Sequence, residues 1–218
     1  VLCSDVNSAD ATSSLTTLLG NAMFIPPTNP VNVLAYTRGA SAAAVNRVNQ
    51  VIGWSGMARG RSTEITEAKT ALAVTENLNV LDYQVFLIHD LDQATSGEPA
   101  SVAADWAGDS VLSSFSKAGG VVVVLDGGDG TGEMHELINA GELLPVAIDG
   151  QTEITAEQVF NLAPFDVLGV NVVAPFLGSS HTCTFDTTLT TDNETIVVLS
   201  DDNGPGGAPV AIHRVIAP

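Results

Sequence analysis

Lys117 to Met134 reads KAGGVVVVLDGGDGTGEM, and the assignment of fold turns on it. A five-residue apolar run, Val121 to Leu125, has no polar alternation, so it reads as a strand covered on both faces, as in a parallel sheet. It stops at Asp126, Gly127, Gly128, Asp129 and Gly130, residues suited to a tight turn at the carboxyl end of the strand. Ligands of open α/β sheets bind beyond that end. The turn offers acids and glycines but no Cys, Ser or His nucleophile, so the stretch marks a fold and a candidate site without declaring a reaction.

Working outward, Tyr83 to His89 is aromatic and β-branched and predicts a second strand, with His89, Asp90 and Asp92 at its carboxyl end. Between the two strands, residues 94–101 predict a loop, and Asp105 to Ala118 predicts a helix with Trp106, Val111, Leu112 and Phe115 inward. Another helix follows over Glu133 to Asn139, stopped by Ala140-Gly141. Val31 to Tyr36 predicts a strand, Ala40 to Ile52 a helix, Gly53 to Gly60 a glycine-rich loop, Ser62 to Thr66 a strand and Thr70 to Asn77 a helix. At the start, Val1 to Ser4 is a short strand, Leu15, Leu18 and Leu19 recur on a helix stopped by Gly20-Asn21, and Met23 to Ile25 is a strand cut off by Pro26-Pro27.

The last third predicts a strand over Leu143 to Ile148, a helix over Ala156 to Leu162 and extended chain over Val167 to Val173. Thr195 to Leu199 and Pro209 to Ile216 flank the turn Asp201 to Gly207 as a hairpin. Alternating strands and helices predict a three-layer α/β fold, a mostly parallel central sheet with helices on both faces and a C-terminal hairpin. At 218 residues with no break in composition, the expectation is a single domain over 1–218: a strand–helix segment over 1–30, then the core over 31–218.

Charge excludes some partners. Asp plus Glu number 25 against 7 Lys plus Arg, a net −18, so a polyanionic nucleic acid or an anionic lipid surface would be repelled. No apolar run approaches the roughly 20 residues needed to span a bilayer. Cys3 and Cys183 would be two buried thiols in a reducing compartment and one disulfide in an oxidising one; the bridge is the favoured expectation, since it tethers a terminal strand. A first residue other than Met, with no apolar leader, reads as a processed product, giving an expected location that is extracellular, at the cell surface or periplasmic. Asn193-Glu194-Thr195 matches a glycosylation acceptor.

Several of these segments resemble a known superfamily. Asp82-Tyr83-Gln84-Val85-Phe86-Leu87-Ile88, then Leu112 to Phe115, then Ala118-Gly119-Gly120 and Val121 to Gly128 are similar to class I glutamine amidotransferase-like proteins, especially the trehalose-utilisation-protein-like branch. The ending, Ile196 to Ser200 and Pro209 to Val215, is similar to the hairpin that closes those domains. The resemblance spans residues 31 to 216 and implies the amidotransferase-like, flavodoxin-like arrangement. Amidotransferases of this class carry a cysteine elbow after the glycine-led strand, whereas Leu125 to Gly132 has no cysteine, and Asp126 falls where the branch tends to place His.

The candidate site therefore gathers Asp126, Asp129, Glu133 and His135 after one strand with His89, Asp90 and Asp92 after its presumed neighbour. Asp126, Asp129 and Glu133 are the candidate ligands for a divalent cation, the one cofactor the residues suggest; turn and capping duty is the competing reading. Asp126 or Asp129 as nucleophile with His89 or His135 as base would make a hydrolase. Ser179-Ser180-His181 has no nucleophile elbow around it, and His213-Arg214 reads as a solvent-facing pair. The pattern leans away from an enzyme, toward a secreted or surface structural domain acting in binding or self-assembly through exposed strand edges and apolar termini. Its ligand is not indicated.

Overall fold

The computed structural model describes all residues except 5, 7, 8, 108–110, 128–132, 190, 205, 217 and 218. In chain order the elements are β1 (Leu2–Cys3), α1 (Ser14–Met23), β2 (Val31–Tyr36), α2 (Ala42–Arg59), β3 (Thr63–Ala68), α3 (Ala71–Asn77), β4 (Val85–Ile88), α4 (Glu98–Ala104), α5 (Val111–Lys117), β5 (Val121–Asp126) and α6 (Met134–Ala140). They continue with β6 (Gly150–Glu153), β7 (Gln158–Asn161), β8 (Phe176–Leu177), β9 (Cys183–Asp186), β10 (Thr195–Ser200) and β11 (Pro209–Arg214).

One mixed sheet of nine strands organises the molecule in the order β3-β2-β4-β5-β1-β11-β10-β7-β8, and β6 pairs with β9 in a separate ribbon. The first five positions are parallel, as the unalternating apolar runs require. From β1 onward each pairing is antiparallel, and β10 and β11 form the expected hairpin.

Alternation along the strands sends side chains into two cores. Val33, Val85, Leu87, Val123 and Leu125 face α1 and α2, with Leu15, Leu18, Val48 and Ile52. Leu34, Tyr36, Phe86, Ile88 and Val124 face the other helices, with Val74, Phe115 and Leu137. Trp106 centres this second core, its ring edge-on to Tyr36 at 5.0 Å and to Phe86 at 5.5 Å. The three-layer expectation is met.

Several local expectations are corrected. Helix α1 does not stop at Gly20-Asn21 but runs through Met23, and a Cβ on Gly20 would fall 1.6 Å from Ser55 Oγ, so that glycine lets α1 approach α2. Nor do Gly53 to Gly60 form a loop: α2 continues to Arg59 and ends at Gly60 in the left-handed conformation. Residues 98–101, expected in a loop, instead begin helix α4. Leu143 to Ile148 is not a strand, and Ala156 to Leu162 is no helix, since Gln158–Asn161 pairs with β10 and β8. Val167 to Val173 is a run of turns, not extended chain.

Candidate functional site

Between β2 and β4 the strand order reverses direction, because the chain leaves β2 to one side for β3 and returns on the other side for β4. The carboxyl ends of these two strands frame the place where an open α/β sheet takes its ligand. Thr37-Arg38-Gly39 leaves β2 there, and His89, Asp90 and Asp92 leave β4.

The acids at this end are engaged with the protein's own backbone and side chains. Ser41, the N-cap of α2, accepts from the Ala44 N–H, and its own N–H donates to Asp92 Oδ1 at 2.6 Å. Gln93 N–H donates to the Gly39 carbonyl at 2.7 Å, and Ala94 lies so close that a Cβ on Gly39 would sit 3.1 Å from its methyl. Arg38 Nε meets Glu98 Oε1 at 2.8 Å, and Glu98 also accepts from Thr95 N–H and hydroxyl. Glu133 accepts from Ser96 Oγ and from the N–H of Gly97, the N-cap of α4, both at 2.6 Å. Those hydrogen bonds hold the Glu98 and Glu133 carboxyls below the usual range, backbone and hydroxyl donors of Thr95 leading for Glu98 and Ser96 leading for Glu133.

His89 follows β4 and is 1% exposed. Neither of its ring nitrogens has a hydrogen-bond partner among the described residues, and burial pushes its pKa down to about 4, so it is neutral at pH 7. Asp126 ends β5, is equally buried, and accepts from Gln151 Nε2. Alternation points the two apart: Leu87 and His89 toward the α1–α2 side, Val124 and Asp126 toward the other.

The expected disulfide is present. Cys3 and Cys183 are joined across a Cα–Cα distance of 5.1 Å, linking β1 to β9. Their sulfurs and an Asp126 oxygen lie within 4.8 Å of one another, the one group of three potential ligand residues among the described residues. Disulfide sulfurs are not thiolates, so this set lacks the donors of a soft-metal site. Glu133 is not part of it, His135 lies on α6, and Asp129 is outside the described residues. The residues 179–181 form a turn in which Ser179 N–H donates to Thr182 Oγ1 and Ser180 supplies a carbonyl to Thr155.

His213 is not solvent-facing: its Nδ1 lies 3.0 Å from Asp166 Oδ2, with both side chains largely covered. Arg214 donates to the Glu142 and Leu143 carbonyls. Asp166 stands just before Val167 to Val173, the stretch expected to be extended chain. Between β7 and β8, side chains outside the segment bind its backbone. Asn161 Nδ2 donates to the Gly169 and Val172 carbonyls, Asn21 Nδ2 to those of Leu168 and Val170, and Ser14 Oγ to that of Val173. A Cβ on Gly169 would lie 2.0 Å from the Ala163 carbonyl oxygen, so the close turn requires glycine. With its backbone held, the segment turns apolar side chains outward: Phe165 is 99% exposed, Val173 75% and Leu177 66%, with Val167 and Val170 also exposed.

No family model matches this chain, and no curated protein does. Among solved structures it is similar to a protein of Bacteroides uniformis described as ThuA-like, at a TM-score of 0.54 and 14% identity, covering 87% of this chain and 80% of that one. That likeness is one of fold. It agrees with the resemblance to the trehalose-utilisation-protein-like branch at the level of the α/β architecture.

Proposed function

We propose that this chain is a non-catalytic secreted or surface α/β domain that acts by binding, through association with further copies of itself as a structural subunit. The observation that carries the reading is the 165–177 segment, where a fastened backbone presents Phe165 and Val173 to solvent and leads into β8, the last strand of the sheet, whose Leu177 is also exposed. Large apolar side chains left in water on one segment suit an interaction surface, and an edge strand offers unpaired backbone groups to a second strand. Ordering such a segment in advance lowers the entropy cost of docking. The Cys3–Cys183 bridge supports the oxidising location, and the excess of acid fits a domain that meets neither nucleic acid nor anionic lipid. Hydrogen exchange compared between dilute and concentrated protein tests the reading: protection confined to residues 165–177 and β8 at high concentration is expected, and unchanged exchange there contradicts it.

A second reading, a hydrolase or metal-dependent enzyme at the carboxyl ends of the strands over 83–89 and 121–125, is favoured by one observation. His89 is a buried neutral imidazole without a described partner, at the crevice of the sheet. Asp126, Asp129 or His135 would act with it, or Asp126, Asp129 and Glu133 would hold a cation. Titration with zinc, manganese and calcium, followed by calorimetry and by the His89 ring resonances, decides it. Saturable binding lost in His89→Ala or Asp126→Asn supports the enzyme; no heat and no shift with any of them contradicts the metal form.

A further inference from the structure

The turn that leads into β10 carries the Asn193-Glu194-Thr195 triplet, and the fold gives its first and last residues opposite surroundings. Strand β7 pairs with β10 only at Leu199 and Ser200, and the turn itself covers the Thr195 end on the side away from β11. There the Thr195 N–H donates to Asp192 Oδ1 at 2.7 Å, and the Asp192 N–H donates to the Thr195 carbonyl at 2.8 Å. Asp192 Oδ1 also accepts from the Glu194 N–H at 2.8 Å, and the Glu194 carbonyl accepts from the Val215 N–H at 2.7 Å. Within this fastened turn Asn193 is exposed, and its carboxamide makes no hydrogen bond to any described residue.

Thr195 is the reverse case. It is wholly buried, and its Oγ1 has no hydrogen-bond partner among the described residues. Burying an unpaired hydroxyl disfavours folding, and a methyl group in its place would remove that cost at nearly the same volume. The finished fold therefore makes no use of the one group that separates threonine from valine at this position. Before β10 closes on β11 the hydroxyl has a use, because an Asn-x-Thr acceptor for N-linked glycosylation requires a hydroxyl two residues after the asparagine.

We infer that Asn193 carries an N-linked glycan added during export, an assignment that rests on the secreted reading above. The donor, by class, is a lipid-linked oligosaccharyl diphosphate. A bond forms between Asn193 Nδ2 and the anomeric carbon of the sugar, and the bond from that carbon to the diphosphate oxygen breaks. The lipid diphosphate leaves with the electron pair, and Nδ2 gives up one proton. Transfer precedes closure of the hairpin, since Thr195 is inaccessible afterwards; β11 follows β10 in the chain, so the acceptor emerges before the strand that pairs with it. The folded protein then holds the glycan in solvent, because Asn193 is exposed.

The test is mass spectrometry of the peptide that holds Asn193, from the protein of its own cells and from the full chain exported through a eukaryotic secretory pathway. Each is measured before and after an amidase that removes the glycan and leaves Asp at 193. A carbohydrate mass removed by the amidase is expected in the wild type and in Thr195→Ser, and none in Asn193→Gln or Thr195→Val. The unfolding midpoint of Thr195→Val should equal or exceed that of the wild type stripped of its glycan. A bare Asn193 in either preparation, with the Cys3–Cys183 bridge formed, overturns the site and leaves the secreted reading standing. Free thiols at both cysteines in the protein of its own cells overturn that reading, and the site with it. A lower midpoint for Thr195→Val shows that the fold does use the hydroxyl, and a glycan retained in that variant shows that the transfer does not; either result overturns the assignment.

Discussion

At one edge of the nine-stranded sheet, β3 turns Glu64 and Glu67 to solvent; at the other, β8 exposes its own Leu177 and follows a segment that exposes Phe165 and Val173. Charged side chains on an edge strand disfavour pairing with another sheet, because a second copy would bring like charges together and strip their water. The β8 edge carries no such guard. Its neighbouring segment is instead held by donors from Asn161, Asn21 and Ser14, all aimed at its carbonyls, so that polar atoms are satisfied inward and hydrocarbon is left outward. The same device runs in reverse at the carboxyl ends of the parallel strands, where Asp92, Glu98 and Glu133 are themselves the groups engaged by the backbone. A crevice with acids already bonded and an edge with apolar side chains in solvent are different surfaces, and it is to the edge that the proposed self-association is assigned.

Reversing the character of the β8 edge should give the largest effect. Phe165→Glu with Val173→Lys is expected to weaken self-association more than 100-fold, since each large apolar side chain contributes about 1.5–3 kcal/mol when buried, while folding stability moves by less than about 0.5 kcal/mol. Sedimentation velocity and chemical denaturation read the two quantities separately.

Acidification should act on the crevice through His89. His89 has its pKa lowered to about 4 from 6.5, so protonation favours the unfolded chain. The stability of the neutral form is complete above about 6.5 and is lost as pH falls toward about 4, at no more than about 1.4 kcal/mol per pH unit. His89→Phe should flatten that part of the profile.

Loosening the edge segment comes next. Asp166→Ala removes the partner of His213 and the acceptor of the Leu168 N–H, at an expected loss of about 1–3 kcal/mol in folding. Self-association should weaken with it, because Phe165 and Val173 then dock from a less ordered backbone. The smallest effect belongs to Asp92→Ala, which frees the Ser41 N–H at the start of α2 and should lower stability by about 1 kcal/mol while leaving association unchanged.

Much of the fold was legible because its strands are apolar runs with sharp polar ends: Val31 to Tyr36, Tyr83 to His89 and Val121 to Leu125 each lie within or over an observed parallel strand. Glycine was the weak signal. Gly20, Gly53 and Gly56 read as breakers, yet all three lie inside helices, and at Gly20 and Gly56 a Cβ would strike Ser55 or the Arg61 carbonyl. At Gly20 the packing of α1 on α2 sets the position, and a partner that distant in sequence leaves no local trace. The stretch 156–162 has a composition that suits a helix but pairs as β7 because β10 offers it a ladder. At the site, the positions of His89 and Asp126 at strand ends were readable, whereas their opposite faces depend on where each strand stops. Val167 to Val173 suits extended chain by its valines, which favour strands, yet residues 167–171 form turns. The donors from Asn21 and Asn161 hold its backbone while Leu168 and Val172 enter the core, which leaves Phe165 and Val173 outside.

Sedimentation equilibrium of the intact, disulfide-bonded chain from micromolar to millimolar concentration tests the central claim most directly. A mass that rises with concentration in the wild type and stays at the monomer value of 22.4 kDa in Phe165→Glu/Val173→Lys is the predicted result. A wild-type mass fixed at the monomer value across that whole range would contradict it.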